Sequence, residues 1–364
     1  MNTRGVATIS KSALRHNFRL LSAHASHEGK KGELWCVVKS DGYGHGLVPV
    51  AKALHEAGAR QFAVADIDEA ETLKDSLPHA RVLIFGMTSP AQAKRLQKNG
   101  ILQSVHSLAY AKALSQATSE DINIHIKIDC GMGRMGLSPL LAEEEVAYIA
   151  GLPHLKIQGI YSHLPDADLP KSPRTLPQIQ QFHDIVRHIY GLGISAPTHL
   201  CATAGILRFG TAGCDGGRVG IGLYGISPSN EVICTALRPA LSLTAPIWQI
   251  KTIAPGEAVG YGGTWRAPCL TRVAVVPFGY RDGLPRLCQG AKVKVFGHSR
   301  PIVGRVSMDL CVVDIGTIPA KEGDSVTIYD RKGLQLATLA ERGQTIPYEL
   351  LSRLSSRVKR QYLE

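Results

Sequence analysis

Between residues 35 and 225 the chain alternates short apolar, strand-like runs with longer helix-like segments. Strands that alternate with helices form parallel βαβ units, and eight such units in roughly 200 residues are typical of a closed (β/α)8 barrel. The alternation therefore predicts an α/β fold with a barrel over residues 10–232, although a doubly wound open sheet is the competing interpretation. The eight runs lie at 35–39, 62–66, 82–86, 102–107, 124–129, 157–163, 198–203 and 218–224.

The pattern changes after residues 227–231, a polar segment rich in turn-forming residues. Long helical periodicity stops there, and short apolar runs separated by glycine and proline follow. They predict a mostly β domain over residues 233–364. The opening segment, residues 1–9, is strand-like and is a candidate to join this domain instead of the barrel. The apolar runs lie at 247–253, 273–278, 292–296, 310–315 and 325–329.

Composition and charge exclude several classes of protein. With 364 residues, 44% of them hydrophobic and 20% charged, the chain is typical of a folded protein of two domains. No apolar run has the length of a membrane span, and the first ten residues lack the hydrophobic region of a signal peptide, which favours the cytoplasm. The net charge of +11 is scattered except at 353–360, so we expect no nucleic-acid partner. The eight cysteines form no CxxC pair, which favours reduced thiols.

Reactive side chains fall at the C-terminal ends of the strand-like runs, where barrel enzymes carry their active sites. This placement favours the barrel over the open sheet. Lys39, His163 and Thr203 end their runs, Arg134 follows one, and Gly220 and Ile221 lie within the eighth run, just after Arg218.

Lys39 ends an apolar run and precedes a glycine-broken loop that carries Tyr43. Lysine is almost never fully buried unless its amine is engaged, so Lys39 is a candidate nucleophile of the Schiff-base type. The alternative is a lysine that reaches solvent from a strand end, and the local sequence alone favours it.

Residues 131–136 match the GxGxxG pattern of dinucleotide-binding sites. No acidic residue follows the next strand in the position that would bind a ribose hydroxyl. We interpret the segment as a tight loop that delivers Arg134 to the barrel mouth. Asp166 and Asp168 are candidate metal ligands, but no third ligand lies near them in the sequence, so we expect no metal.

Eight motifs, in order and spacing, resemble those of alanine racemases, which are fold-type III enzymes that use pyridoxal 5'-phosphate. The resemblance implies a cytoplasmic enzyme that interconverts L- and D-alanine and supplies D-alanine for peptidoglycan. The motifs are VVKSDGYGHG at 37–46, DCGMGRMG at 129–136, YSH at 161–163, GRVGIGLYG at 217–225, VGYGGTW at 259–265, GYRDG at 279–283, RVSMD at 305–309 and PYELLSRL at 347–354.

The resemblance implies two proton-transferring residues, Lys39 and Tyr261. Lys39 would hold the cofactor as a Schiff base, and Tyr261 would come from the second subunit of a homodimer with shared active sites. Inversion needs a proton removed from one side of a planar carbon and returned from the other, which one positioned group cannot do well. Both side chains have a pKa of about 10 in water, so the site must ease their deprotonation.

The other expected roles follow from the same resemblance. Arg218 would face the pyridine nitrogen, and His163 would bond Arg218. Arg134 would bind the cofactor phenolate and the substrate carboxylate, and Lys127 matches a lysine that some relatives carry carbamylated. The expected phosphate ligands are Tyr43, Thr203, the backbone N–H groups of Gly220 and Ile221, and Tyr348, and the substrate pocket would be completed by Met308, Tyr280 and Asp309.

The chain departs from the family pattern at several places, including Ser307 and Leu164-Pro165, and two of them bear on the substrate range. Ala202-Thr203 replaces the usual Asn-Ser, and Arg281 replaces a small residue. A racemase of broader specificity is therefore an open alternative. A non-catalytic barrel that binds pyridoxal phosphate is another, although such proteins resemble only the first domain and the β domain with Tyr261 argues against it. Arg218 argues against a decarboxylase of the same fold type, where an acidic residue is expected.

Overall fold

The computed structural model describes residues 4–26, 32–332 and 334–364, without the side chains of residues 334 and 335. The chain divides into two compact units. The barrel unit contains Leu14–Gly42 and Leu47–Leu237, and the β unit contains Met1–Ala13, Tyr43–Gly46 and Arg238–Glu364.

Strands and helices alternate through the barrel unit, whereas strands predominate in the β unit. In chain order, the strands are β1 (Val6–Ser10), β2 (Glu33–Val37), β3 (Gln61–Val64), β4 (Arg81–Ile84), β5 (Leu102–Val105), β6 (Ile122–Lys127), β7 (Leu155–Tyr161), β8 (Thr198–His199), β9 (Gly216–Val219), β10 (Leu241–Pro246), β11 (Gln249–Ile253), β12 (Ala258–Val259), β13 (Trp265–Arg266), β14 (Thr271–Val276), β15 (Lys292–Val295), β16 (His298–Pro301), β17 (Cys311–Asp314), β18 (Ser325–Tyr329) and β19 (Lys359–Leu363). The α-helices are Lys11–Ala25, Leu47–Glu56, Ile67–Ser76, Ala93–Lys98, Leu108–Gln116, Ala142–Ala150, Thr175–Gly191, Thr203–Phe209, Leu334–Arg342 and Pro347–Ser352.

In the described part of the barrel unit, strands β2 to β9 form a closed parallel barrel in sequence order. The ring closes between β9 and β2, where Glu33 pairs with Gly216 and Cys36 with Val219. Strands β3 and β4 begin one residue before the predicted runs, because Gln61 and Arg81 are polar and carry no apolar signal. The predicted (β/α)8 barrel is confirmed.

The barrel strands are apolar because both of their faces are buried. Helices cover the outside, and two of them begin with a side-chain cap, from Asp66 and Ser107. Asp66, for example, accepts the N–H groups of Asp68 and Glu69 at 3.1 and 3.0 Å and starts the helix Ile67–Ser76. Leu73 of that helix is fully buried. Because β3 ends at Val64, this cap sets the short connection that follows the strand at the C-terminal face of the barrel.

The β unit is mostly β, as predicted, and contains a six-stranded sheet in the order β16-β15-β18-β10-β1-β19. The N-terminal strand β1 runs antiparallel to β10 and parallel to β19. Residues 1–3 of the predicted opening strand lie outside the described residues. A second sheet has the order β11-β14-β17, and β12 and β13 form a separate hairpin.

No helix in the described ranges is both long enough and apolar enough to cross a membrane.

Candidate active site

Lys39 follows β2 and opens a left-handed turn. Ser40, Asp41 and Gly42 have φ angles of 56, 53 and 59°. L-residues other than glycine rarely adopt this region, and seldom in succession. The N–H group of Gly42 donates to the carbonyl of Val38 at 2.8 Å, which closes the turn on the end of the strand. The backbone on either side of Lys39 is therefore fixed in a conformation that local preference would not select.

Two side chains hold this turn in place. Asp41 donates its N–H to Oε1 of Glu69 at 3.1 Å, and its Oδ1 accepts the N–H of Leu47 at 2.8 Å. Glu69 also accepts the N–H of Ala65 at 3.0 Å through Oε2. These hydrogen bonds offset the backbone strain, which costs about 1–3 kcal/mol for each residue in such a region. Lys39 is thus presented from a braced position.

The amine of Lys39 is half-buried, and its surroundings favour the neutral form. Burial lowers the pKa of Lys39, and the guanidinium of Arg134 lowers it further, while Glu69 acts in the opposite direction. A lysine with a lowered pKa has more free amine at neutral pH, which is the form that attacks a carbonyl.

The GxGxxG segment is organised around one carboxylate. Oδ1 of Asp129 accepts the N–H groups of Gly131, Met132 and Gly133 at 3.1, 2.7 and 3.1 Å, and Oδ2 accepts that of Arg134 at 3.1 Å. Burial acts to raise the pKa of Asp129, but these four N–H groups bring the net pKa below its usual value. The N–H groups that a dinucleotide phosphate would need are thus taken by Asp129, and the loop positions Arg134.

Lys127 lies on β6, two residues before Asp129. Its Nζ donates to the carbonyl of Met135 at 2.5 Å. Burial and the charge of Arg134 lower the pKa of Lys127 to about 8, against the opposing effect of Asp129. The amine therefore has a larger neutral fraction at neutral pH than an ordinary lysine has.

Arg218 is held on two sides by acceptors from β7 and β8 and the residues that follow them. Its Nη1 donates to Nδ1 of His199 at 2.8 Å and to the carbonyl of His199 at 2.9 Å. Its Nη2 lies 2.6 Å from the carbonyl of Ser162, 2.8 Å from that of Leu200 and 3.2 Å from Nδ1 of His163. All four Nη hydrogens therefore have protein acceptors. In the described chain, Nε is the guanidinium nitrogen with no such acceptor.

The surroundings of Arg218 are unusually apolar for a cation. The side chain is 4% exposed, and its guanidinium lies over the ring of Tyr161 at 5.1 Å from the centroid. Burial lowers the pKa of Arg218 to about 10, which still leaves it protonated at neutral pH. A buried group that only donates hydrogen bonds is suited to face an acceptor, such as an unprotonated ring nitrogen.

The expected contact between His163 and Arg218 is present in the barrel unit. Burial, followed by the charges of Arg218 and Arg134, lowers the pKa of His163 to about 3. His163 is therefore neutral at neutral pH. Because Arg218 can only donate, Nδ1 of His163 is the acceptor, and we assign the proton of His163 to Nε2.

Thr203 and the loop after β9 come together. Oγ1 of Thr203 accepts the N–H groups of Gly220 and Gly222 at 3.2 and 3.4 Å. A Cβ on Gly222 would lie 2.6 Å from Cγ2 of Thr203, so this close approach requires glycine. Ile221 begins the short 3-10 helix Ile221–Tyr224. A hydroxyl and backbone N–H groups thus gather after β8 and β9, a position suited to an anion.

Two of the expected phosphate ligands lie in the β unit. The ring centroids of Tyr43 and Tyr348 are 6.3 Å apart, and burial raises the pKa of Tyr43 to about 12. Gly44 is packed so closely that a Cβ would lie 2.1 Å from the carbonyl of Leu351. Arg360 donates from Nε to the carbonyl of Gly44 at 3.1 Å. The segment that carries Tyr43 is therefore fixed against the helix that carries Tyr348.

Tyr261 stands at the tip of the hairpin formed by β12 and β13. Its side chain is 67% exposed. Gly260 and Gly262 on either side of it both have a φ of 73°, which lets the chain turn so tightly. Val259 at the base packs in a small core with Val273 and Val303. The hairpin therefore presents Tyr261 to the outside of its own unit from an anchored base.

Tyr280, Met308 and Asp309 form a second exposed group of the β unit. Tyr280 donates its N–H to the carbonyl of Ser307 at 3.0 Å, which joins the two loops. Tyr280 is 43% and Met308 52% exposed. Asp309 is paired with Arg357, whose Nη2 lies 2.6 Å from Oδ1.

The suspected metal ligand Asp166 is engaged in other contacts, with the hydroxyl of Ser172 at 2.8 Å and with Arg174 at 3.3 Å. Within residues 4–26, 32–332 and 334–364, no three His, Cys, Asp or Glu side chains are arranged to hold a metal ion.

The sequence analysis missed His199, which contacts Arg218 more closely than His163 does. A signal for it was available. Residues 199, 201 and 203 alternate along one predicted strand, so His199 shares a face with Thr203, a residue already assigned to the site. Nothing in the local sequence indicated its contact with Arg218, because the two lie on neighbouring strands.

Two family models match the chain: the N-terminal domain of alanine racemase over residues 9–228 and the C-terminal domain over residues 240–362. The alanine racemase of Desulfovibrio desulfuricans is 35% identical over 366 residues, and the aligned region covers 98% of each chain. The alanine racemase of Desulforamulus reducens is 36% identical over 368 residues, with the same coverage.

Solved structures give the same result. The alanine racemase of a D-cycloserine-producing Streptomyces lavendulae superposes with a TM-score of 0.93 at 32% identity, over 100% of this chain and 98% of that chain. The biosynthetic alanine racemase of Pseudomonas aeruginosa has a TM-score of 0.89 at 32% identity, over 99% of each. Both domain models and full-length relatives above 30% identity agree, and the chain belongs to the alanine racemase family.

Proposed function

We propose that the chain is a racemase that depends on pyridoxal 5'-phosphate and interconverts L- and D-alanine, with Lys39 and Tyr261 as its two bases. The observation that carries the proposal is that one barrel contains both a half-buried Lys39 and a buried Arg218 that is held by hydrogen bonds. We further propose that the enzyme works in the cytoplasm and supplies D-alanine for peptidoglycan, as its resemblance to the family implies.

The residues present fit the cofactor chemically. Lys39 offers a primary amine whose pKa is lowered. Thr203, Gly220 and Ile221 offer a hydroxyl and N–H groups suited to a phosphate, although the N–H of Gly220 now donates to Thr203 and would have to be shared. Arg218 offers a donor to the ring nitrogen. When bound, the cofactor withdraws electrons from the substrate and acidifies its Cα–H bond.

Arg218 supports racemisation over other reactions of the same cofactor. Arginine keeps its proton, so it would leave the pyridine nitrogen unprotonated and limit how strongly the ring draws electrons. With weaker electron withdrawal by the ring, Cα would regain a proton quickly, before another bond of the substrate breaks. The four occupied Nη hydrogens fix the guanidinium in one orientation.

Arg134 is the residue we assign to the substrate carboxylate. The guanidinium binds a carboxylate through two parallel hydrogen bonds, which fixes the orientation of Cα. The loop held by Asp129 sets the position of Arg134, since its own backbone N–H is one of the four groups bound. The same cation lowers the pKa of Lys39, so one side chain serves both orientation and proton transfer.

Tyr261 is assigned as the second base, from the partner subunit of a homodimer. Its exposure on an anchored hairpin supports this assignment, because a side chain so presented can enter the site of another chain. Tyr280, Met308 and Asp309 are proposed to complete the substrate pocket from the same side. A homodimer with shared sites would cover these exposed groups.

The test is solvent-deuterium incorporation at Cα, followed by NMR with a panel of L-amino acids. We expect fast exchange for alanine. Exchange that is fast for lysine or serine and slow for alanine would overturn the assignment of alanine as substrate. Exchange that is fast for alanine and equally fast for lysine or serine would indicate a racemase of broader specificity, for which the replacements at Ala202 and Arg281 give a reason. Absence of exchange with every amino acid, in protein that binds the cofactor, would favour a non-catalytic role.

A further inference from the structure

Behind Arg218, on the side of His199, lies a second buried histidine. Nε2 of His199 is 3.0 Å from Nδ1 of His125, and Nδ1 of His199 is 2.8 Å from Nη1 of Arg218. His125 is 1% and His199 2% exposed. Three side chains from three strands thus form a continuous hydrogen-bonded chain through the barrel interior.

The donor and the acceptor of each hydrogen bond in this chain of side chains follow from the chemistry of Arg218. Arg218 can only donate, so Nδ1 of His199 accepts. A neutral His199 then carries its proton on Nε2 and donates to Nδ1 of His125. A neutral His125 must in turn carry its proton on Nε2. Burial and the cations Arg81 and Arg218 lower the pKa of His125 to about 3, which supports the neutral form.

Both rings are held by their neighbours. The ring of Tyr161 stacks on His199 at 4.8 Å with an interplanar angle of 6°, and Trp35 meets His125 edge-on at 5.2 Å and 84°. Gly159 makes room for His125, since a Cβ there would lie 2.4 Å from Cε1 of the ring. These neighbours pack against both rings in the orientation that places Nδ1 of His125 against Nε2 of His199.

The chain of hydrogen bonds ends at a small cavity whose lining includes polar side chains. Nε2 of His125 is buried and has no hydrogen-bond partner among the described residues. His125 lines a cavity of ≈ 10 Å³ together with Glu33, Gln158, Thr198 and Asp215. This volume is close to the minimum that holds one water molecule, and the lining offers several oxygen acceptors.

We propose that His125 is a positioning residue that acts through His199 on Arg218, and that its Nε2–H is satisfied by one water molecule bound in this cavity. His125 touches neither cofactor nor substrate. It accepts the Nε2–H of His199 and so stabilises the tautomer in which an acceptor, never a donor, faces Arg218. The consequence for catalysis depends on the proposed function, whereas the tautomers and the water depend only on the structure.

The tautomers are measured directly by long-range ¹H–¹⁵N NMR of ¹⁵N-histidine-labelled protein at neutral pH. His125→Phe and His199→Gln spectra identify the two signals. We expect both imidazoles to be neutral with the proton on Nε2, and the Nε2–H of His125 to show a cross-relaxation contact to water. Finding His125 protonated on Nδ1, or doubly protonated, would overturn the proposal. This measurement stands even if the protein racemises no amino acid.

Kinetics then separates a positioning role from a structural one. His125→Phe keeps a ring but removes the acceptor, whereas His125→Asn keeps an acceptor near the position of Nδ1. We expect kcat for alanine to fall about tenfold in His125→Phe with KM nearly unchanged, and to recover by more than half in His125→Asn. His183→Phe is the matched control, because His183 loses one hydrogen bond, to the carbonyl of Ala212, outside the site.

Equal losses of kcat in His125→Phe and His125→Asn, or a loss confined to KM, would contradict a role through His199. If His125→Phe does not fold, the tautomers of the wild-type protein and the kcat of His125→Asn decide the question.

Discussion

Nη2 of Arg218 lies 3.2 Å from Nδ1 of His163 within the barrel unit. Because arginine has no acceptor, this contact and the one to His199 can form only if both imidazoles present an unprotonated nitrogen to the same cation. Burial, and next the charge of Arg218, lower the pKa of His163 to about 3, so His163 is neutral at neutral pH. Among the described residues, the hydrogen-bond partners of Arg218 are histidine nitrogens and backbone carbonyls, and none is a carboxylate.

Arg218→Lys should destabilise the protein even though the charge is kept. An ammonium has three donors on one atom and cannot reach acceptors on both sides of the guanidinium. We expect the free energy of unfolding to fall by about 1–3 kcal/mol in urea titrations. Arg187→Lys, at an exposed residue paired with Asp184, is the control and should change it by less than about 0.5 kcal/mol. Equal stability of both variants would mean that the buried contacts of Arg218 contribute little.

Asp129→Asn should destabilise the Arg134 loop in a manner that depends on pH. The pKa of Asp129 is lowered in the folded state, so its stabilisation is complete above the unfolded pKa of about 3.9 and is lost as pH falls through the folded value. We therefore expect the free energy of unfolding of Asp129→Asn to lie about 1–3 kcal/mol below that of the wild type at pH 7. This difference should shrink below about pH 4. Denaturant titrations at several pH values measure it, and a difference that does not depend on pH would contradict the assignment.

Gly222→Ala should disturb the proposed phosphate site. The new Cβ would lie 2.6 Å from Cγ2 of Thr203, so Thr203 or the loop must move. We expect weaker binding of pyridoxal phosphate by equilibrium dialysis and a loss of about 1–3 kcal/mol in the free energy of unfolding. Gly191→Ala is the matched control, since no atom outside its own helix lies within 4 Å of the added Cβ; it should leave cofactor binding unchanged and should not lower the free energy of unfolding.

The sequence predicted the architecture well, because barrel strands leave a strong apolar signal and reactive residues follow them. It did not predict the left-handed turn after Lys39, since Ser40 and Asp41 have no intrinsic preference for positive φ and are held by Glu69 and Leu47. Contacts of this kind are tertiary and leave no local pattern.

The β unit was predicted less completely than the barrel. The strand Leu241–Pro246 and the helix Leu334–Arg342 were not anticipated. This strand, β10, runs antiparallel to both of its neighbours and has one more exposed face. Buried and partly exposed residues therefore alternate along it and form no continuous apolar run. Sequence motifs identified the other candidate site residues of the barrel, whereas the contact of His199 with Arg218 was seen only in the structure.

A mixed dimer should recover activity from two inactive chains. Lys39→Ala and Tyr261→Phe each remove one proposed base, and a heterodimer rebuilds one complete site if Tyr261 serves the partner subunit. We expect about a quarter of the wild-type kcat per chain when equal amounts are mixed and re-associated at random. A confirmed heterodimer without recovery would place Tyr261 in the site of its own chain.

The most direct test of the two-base proposal is Cα–H exchange with solvent deuterium in Tyr261→Phe, measured separately on L- and D-alanine by NMR. With one base removed, Lys39 still reaches one side of Cα. We expect exchange to persist for one enantiomer and to fall by a factor of about 100 or more for the other, while racemisation is lost. Equal exchange of both enantiomers at the wild-type rate would contradict the assignment of Tyr261.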